Sequence, residues 1–262
     1  MIFRARFKTS ILTAFVFVCV QLTYLSSASS NEEAFHKLPL NIKEAGYAKS
    51  LKISKWVREH QLLVESFQHA ISTAPDPESV RSFLNNIAWD DSYFFSYFGS
   101  SNGDMTMFPE LALPKGYDPR RRPWYLKTRT AMTTTLSDPY QDAGTEEFVL
   151  TLTTPVLKDT EFLGVFGVDI NTRPLVSILT SETYTEIDQF FIVNQNGKVL
   201  LHPNSKLSNN SLIDIFQTEP LEIQENQAIA LNEAIDKTLV FYKIMNLPVS
   251  GWYLCAVINN KS

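Results

Sequence analysis

The sequence predicts an α+β fold: a long N-terminal helix followed by two units built on antiparallel sheets. Three observations carry this. Between Leu38 and Ile71 apolar residues recur every three or four positions, the spacing of one helix face. Beyond about Ser92 the pattern changes to short runs of β-branched and aromatic residues, several with a period of two. Helical and strand patterns are also segregated along the chain, not alternated as βαβ units require.

The first thirty residues stand apart. "MIFRARFK" is cationic, "ILTAFVFVCV" is apolar, and "QLTYLSSASS" ends in small residues. That order is a secretory signal with Ser26-Ser27-Ala28 as the cleavage site. Equally, no charge falls between Thr9 and Asn31, long enough to span a bilayer as an uncleaved anchor. Residues 1–30 are thus a signal peptide or an N-terminal membrane anchor, and either exports the rest to the periplasm. Cys19 lies in this segment, so Cys255 in "WYLCAVI" reads as a buried core residue without a disulfide partner.

Residues 31–74 form the long helix. Its apolar face holds Ile53, Trp56, Val57, His60, Leu63, Val64, Phe67, Ala70 and Ile71, and Gly46 is expected to bend or fray its early part. "TAPDPES" stops it, and Asp76 followed by Pro77 starts a second helix reaching about Ile87. Residues 75–179 then supply strands in "SYFFSYFG", "TTTLSDPYQD", "EEFVLTLTTPVLKD" and "EFLGVFGVDI", with a hairpin turn at Lys158-Asp159-Thr160. Phe148, Leu150 and Leu152 alternate with Val149, Thr151 and Thr153. A short helix over Thr172 to Thr180 closes the unit.

Residues 180–262 make the second unit. "QFFIVNQNGKVLLHP" is a hairpin around Asn196-Gly197, and "KTLVFYKIM" and "GWYLCAVI" add two strands with Leu247-Pro248 between them. Its predicted core is Phe190, Ile192, Val199, Leu201, Val240, Tyr242, Trp252 and Leu254. It has no polar cluster and reads as structural or transmitting.

Composition narrows function. A formal net charge of −5 argues against nucleic-acid binding. His36, His60, His69 and His202 lie far apart with no metal-ligand spacing; His60 belongs to the apolar helix face, and His202 reads as a satisfied turn residue. G-x-S-x-G, H-E-x-x-H and CxxC are all missing, so no enzyme, metal site or cofactor is expected.

The unusual stretch is "YDPRRRPWYLKT", Tyr117 to Thr128. Arginine grips carboxylates bidentately, and Trp and Tyr supply rigid walls with polar tips. Downstream, Tyr140, Asp142 and Asp169 fall on strands. Asp169 ends an almost wholly apolar strand, where a carboxylate is costly unless met by a cation or by donors. A cationic grip at one end and an anionic, aromatic grip at the other suit a zwitterion, the charge pattern of a free α-amino acid. The same residues allow a structural alternative. Asp169 could pair with Arg122 or cap the helix near Thr172, and "DPRRRP" could be a solvated loop.

"YDPRRRPWY", "DPYQD" and "GVFGVDI" resemble the double Cache sensor domain of bacterial chemoreceptors, in its amino-acid-binding subgroup. The resemblance spans most of the exported chain. It implies a membrane-distal ligand-binding Cache module and a membrane-proximal one, both PAS-like. It further implies that Arg122 and the Trp124 indole hold a carboxylate, while Tyr125, Tyr140 and Asp169 hold an ammonium. Tyr117 frames the site and Asp142 adds charge. Arg120 and Arg121 match no ligand role and are expected to be exposed, and "SYFGSSNGDMTMF" is expected to wall the side-chain pocket. The implied partner is an L-amino acid sensed for chemotaxis or signal transduction, with the inner membrane if the anchor is kept and a homodimer through the long helix. Receptors of this kind continue into a second membrane helix and a signalling domain. The sequence is therefore either a sensory part of a longer receptor or a stand-alone periplasmic amino-acid-binding protein; sensors for an amine or an organic acid are the alternatives in ligand class.

Overall fold

The computed structural model describes residues 30–74, 76–86, 93–141, 148–249 and 251–260. The N-terminal segment expected to direct export, with Cys19, lies outside them, and so do Ile87 and Asp142.

The long helix, α1, runs over Leu40–Thr73, a little later than the apolar spacing suggests because Pro39 precedes its first turn. Ile42, Ala45, Ile53, Val57, Val64 and Ile71 are buried along one stripe. At 34 residues α1 is about 51 Å long. That length lets it pack against strands of both sheets and gives the two units one continuous core. Gly46 does not fray it: the helix is unbroken through this position. A Cβ there would stand 2.1 Å from Tyr242 Cζ, so the glycine makes room for a buried ring whose hydroxyl donates to Ile42 O at 3.1 Å. Asp76 Oδ1 accepts from Ser79 N at 2.8 Å at the start of α2, Pro77–Asn86.

The first sheet is antiparallel. Its path runs β2 (Met105–Phe108), β1 (Tyr93–Ser100), β6 (Glu161–Asn171), β5 (Phe148–Lys158) and β3 (Thr135–Leu136). β4 (Tyr140–Gln141) also pairs with β5. The run "TTTLSDPYQD" is therefore two short strands and not one. Pro139 has no N–H to give a ladder, and Ser137 bridges the gap: its N–H donates to Thr151 O and its Oγ accepts from Thr151 N, each at 2.9 Å. Helix α3, Pro123–Ala131, lies over one face of this sheet, and α4, Arg173–Thr180, follows β6 into the second unit.

The second sheet is antiparallel in the order β8 (Val199–Leu201), β7 (Ile187–Asn194), β11 (Trp252–Asn259), β10 (Lys237–Lys243) and β9 (Gln227–Ala230). Both of its faces are buried. Ile192, Val240, Tyr242 and Leu254 turn to the α1 side. Phe191, Phe241, Cys255 and Val257 turn to the other, covered by Ile223 and by α5, Leu212–Phe216. Sequence periodicity missed α5, whose five residues are held by a Ser211–Asp214 capping box, and it missed β9. Cys255 is fully buried, as expected, and burial pushes its thiol up.

Polar contacts between the units include the following. Trp252 Nε1 donates to Asp138 Oδ1 at 2.8 Å, and Leu136 N to Pro248 O at 3.3 Å. Lys49 on α1 has no exposed surface. Its Nζ donates to Ile178 O in the last turn of α4 at 2.7 Å, and lies 3.5 Å from a Glu182 oxygen and 5.0 Å from the Phe190 ring centre. Burial pulls its pKa down, with Glu182 opposing.

Candidate functional site

A cavity of about 390 Å³ opens between α3 and the first sheet. Arg122, Pro123, Trp124 and Lys127 line it from the helix side; Thr135, Ser137, Asp138 and Tyr140 from the β3–β4 stretch; Thr151 and Thr153 from β5. Larger hollows exist elsewhere, of about 670 and 910 Å³. Chemistry and not size marks this one, because it gathers the arginine–aromatic cluster.

The strand period builds the floor. Leu150 and Leu152 are buried in the core, and the alternate residues Thr151 and Thr153 turn to the cavity. The register sets Thr151 opposite Asp169, and Thr153 and Tyr97 opposite Gly167, on the same face. Gly167 is required there. A Cβ would meet Tyr97 Cε2 at 2.5 Å and Thr153 Cγ2 at 2.7 Å, so the missing side chain lets the Tyr97 ring lie across β6.

Tyr97 then reaches Asp169, its hydroxyl donating to Oδ1 at 3.0 Å. Thr151 Oγ1 donates to the same oxygen at 2.7 Å. Since Thr151 has a single proton to give, the 2.9 Å contact between Tyr140 Oη and Thr151 Oγ1 is a donation from Tyr140. A relay Tyr140 → Thr151 → Asp169 thus runs from the cavity wall inward. The carboxylate stands one layer behind the wall, satisfied by hydroxyls as a half-buried charge must be. Burial, then the charge of Asp169, pushes the Tyr97 phenol far up, which keeps it a donor. Asp169 does not cap α4: Arg173 N donates to Asn171 Oδ1 at 2.8 Å.

The opposite wall comes from the cluster. Asp118 Oδ1 accepts from Arg120 N at 3.0 Å and opens a 3₁₀ turn over Pro119–Arg121. The Arg120 guanidinium grips both Asp118 oxygens and reaches Ser101 O, so Arg120 is a clamp on the turn and not a loose surface cation. Arg121 is exposed. Arg122 is the N-cap of α3, and its guanidinium carbon lies 5.8 Å from the Tyr117 ring centre. Burial pushes the Tyr117 phenol up, with Arg122 and Trp124 pulling the other way. The Trp124 ring packs on Tyr97 with centroids 5.0 Å apart, which ties the helix wall to the floor. Beneath, Thr128 on α3 forms a buried hydroxyl triangle with Thr135 and Thr153, with sides of 2.6, 2.6 and 3.0 Å.

Of the residues singled out from sequence, Arg122, Trp124 and Tyr140 line the cavity, Tyr117 stands beside Arg122, and Asp169 backs the wall. Tyr125 is placed differently. It is fully buried, its ring packs edge-on against Phe162, and its hydroxyl donates to Ser100 O at 3.3 Å. Asp142 lies outside the described residues. Of the stretch "SYFGSSNGDMTMF" expected to wall the pocket, Tyr97 backs the floor, but none of it lines the cavity. Lys127, Asp138, Thr151 and Thr153 were missed. The alternation in "VLTLTT" held the signal for the threonines, but nothing local marks Asp138, whose place depends on Trp252.

No group of three or more His, Cys, Asp or Glu among the described residues could hold a metal ion, and no helix among them is long and apolar enough to cross a membrane.

A double-Cache family model, described as a Cache domain, matches residues 26–262. The methyl-accepting chemotaxis protein PctB of Pseudomonas aeruginosa is 29% identical over 213 residues, 81% of this chain and 34% of that protein. McpG of Pseudomonas putida is 30% identical over 213 residues, 81% of this chain and 33% of that protein. The chain thus spans about a third of the length of these relatives. Among solved structures, the ligand-binding domain of the P. aeruginosa amino-acid chemoreceptor PctC, in complex with GABA, superposes with a TM-score of 0.77 at 28% identity, covering 84% of this chain and 98% of that one. The ligand-binding domain of the Pseudomonas fluorescens chemoreceptor CtaA, in complex with L-serine, gives 0.73 at 28% identity, covering 85% and 97%.

Proposed function

The chain belongs to the Cache domain family, and from that premise we propose that it is an extracytoplasmic sensor domain that binds a free L-amino acid in its first, membrane-distal sheet unit. One observation carries the proposal. Arg122 and Trp124 stand on the helix wall of a single cavity, and Tyr140 and Thr151, backed by Asp169, stand on its sheet wall. In this reading Arg122 and the Trp124 indole N–H take the ligand carboxylate. Tyr140 and the charge of Asp169 attract the ammonium, and Tyr117 orients Arg122. Asp142, on the segment after β4, adds negative charge at the ammonium end. Tyr125 supports the wall from behind and does not touch ligand. Lys127 and Asp138 face the ligand side chain, and Asp138 passes closure on to Trp252 in the second unit. The domain performs no reaction; its output is a small change of shape delivered towards the membrane. A cavity of this size holds an amino acid with most of its surface buried.

Calorimetric titration of the full chain in mild detergent against common L-amino acids tests this. Binding should occur at one site per chain. Arg122→Ala should weaken it by about 1.5–3 kcal/mol, the worth of a charge-assisted hydrogen bond, whereas Arg121→Ala should bind as wild type. N-acetylation of the ligand should abolish the ammonium contact and with it most of the affinity. Equal titrations for both arginine variants, or full affinity for the N-acetylated ligand, would defeat the zwitterion reading.

A further inference from the structure

Lys127 and Asp138 line the amino-acid cavity but have no part in the grip on the zwitterion. Both are exposed. Lys127 Nζ donates to Leu136 O at 2.8 Å and keeps two further protons to give. Asp138 Oδ1 accepts from Trp252 Nε1 at 2.8 Å, and its Oδ2 accepts from no described residue. Opposite charges on one cavity that do not close on each other leave a donor and an acceptor for a ligand side chain.

Their position sets the length of that side chain. Lys127 and Asp138 also line a smaller hollow of about 300 Å³, whose other walls, Asn194, Gln195, Asn196, Val249 and Gly251, belong to the second unit. The pair therefore stands at the end of the cavity that faces the second sheet. Lys127 follows Arg122 by five residues, about 7.5 Å of helix rise. Such a span suits a side chain with two methylenes before its polar end. Its charge is set as well. A carboxylate end would meet Lys127 but face Asp138, and an ammonium end would meet Asp138 but face Lys127. A primary amide has an oxygen to accept and an NH2 to donate, and carries no charge. We infer that Lys127 and Asp138 select the carboxamide side chain of L-glutamine, with Lys127 Nζ donating to the amide oxygen and Asp138 Oδ2 accepting from the amide NH2. The inference rests on the amino-acid reading of the cavity and narrows it to one side-chain class.

The test is calorimetric titration of the full chain in mild detergent with L-glutamine, its isostere L-glutamate, L-lysine and L-alanine. Glutamine should bind at least tenfold more tightly than glutamate or lysine, about 1.4 kcal/mol. Asp138→Asn keeps an oxygen for Trp252 and turns the free oxygen into a donor. It should weaken glutamine and strengthen glutamate, narrowing their ratio at least tenfold. Lys127→Met removes the cation that repels lysine and should narrow the glutamine-to-lysine ratio in the same way. These ratios compare ligands on one protein, so a loss of stability in a variant does not mimic them. Equal binding of glutamine and glutamate by the wild type, or an unchanged ratio in either variant, would overturn the inference and leave the amino-acid reading in place. No heat with any of the four, alanine included, would remove that reading and this inference with it.

Discussion

Alanine at position 167 should damage the cavity from behind without touching its lining. Gly167 is not among the glycines with positive φ, so the backbone itself would accept a side chain. The obstacle is steric, with contacts of 2.5 Å to Tyr97 and 2.7 Å to Thr153. Neither neighbour can yield easily. Tyr97 is 4% exposed, bonded to Asp169 and packed on Trp124, and Thr153 sits in the hydroxyl triangle. Overpacking of this kind costs about 1–3 kcal/mol. Urea unfolding should show a lower midpoint at unchanged m for Gly167→Ala, and calorimetry should show weaker amino-acid binding because Tyr97 carries Trp124 with it. The clash has a named partner, so a double-mutant cycle isolates it. In a Tyr97→Ala background only the Thr153 contact remains, so the added methyl should cost less, giving a coupling of about 0.5–3 kcal/mol. An equal cost of Gly167→Ala in both backgrounds would refute the reasoning, because the penalty would then not lie against Tyr97.

Trp252→Phe keeps most of the packing and removes the donor to Asp138. It should cost about 1 kcal/mol and should leave β11 amides no longer protected by ligand, as read by hydrogen exchange with and without amino acid. Acid should destabilise the protein through His202. Burial pulls its folded pKa below the ordinary value near 6.5, so the unfolded chain takes up the proton first. The stability present at neutral pH is therefore lost as pH falls below about 6.5, down to the depressed folded value. His202→Gln should flatten that part of the urea-midpoint profile, and an unchanged slope would remove His202 as its source.

Much of this arrangement was legible in the sequence because it rests on periodicity. The α1 stripe, the paired β5 and β6 strands and the Asn196-Gly197 hairpin each follow from apolar spacing and turn chemistry. The arginine–aromatic cluster was legible because residues of unusual type stand close together. What escaped depends on partners distant in sequence. Gly46 looked like a helix defect because Tyr242, nearly 200 residues on, was not visible as the ring it admits. The family resemblance implied an ammonium contact for Tyr125, yet its phenol turns to Ser100 O. Asp138 was passed over inside the strand run "TTTLSDPYQD" and is held by an indole from the other sheet. Arg120 could not be told from Arg122 by residue type; the family pattern set them apart, and the local Asp118 clamp on Arg120 agrees with it.

Lys49 limits what movement the long helix can make. An axial slip of α1 by one residue, about 1.5 Å, would carry its ammonium out of reach of Ile178 O and strand the charge in a dry interior. Stranding a buried charge costs several kcal/mol, more than a small ligand can readily spare. Lys49 thus ties α1 and α4 into one strut, alongside the Lys52–Glu182 and Ser54–Met245 O contacts of the same helix. A push on α1 is delivered to the junction between the sheets and is not dissipated by sliding, so the geometry favours tilting of the whole strut over piston-like travel of the helix alone.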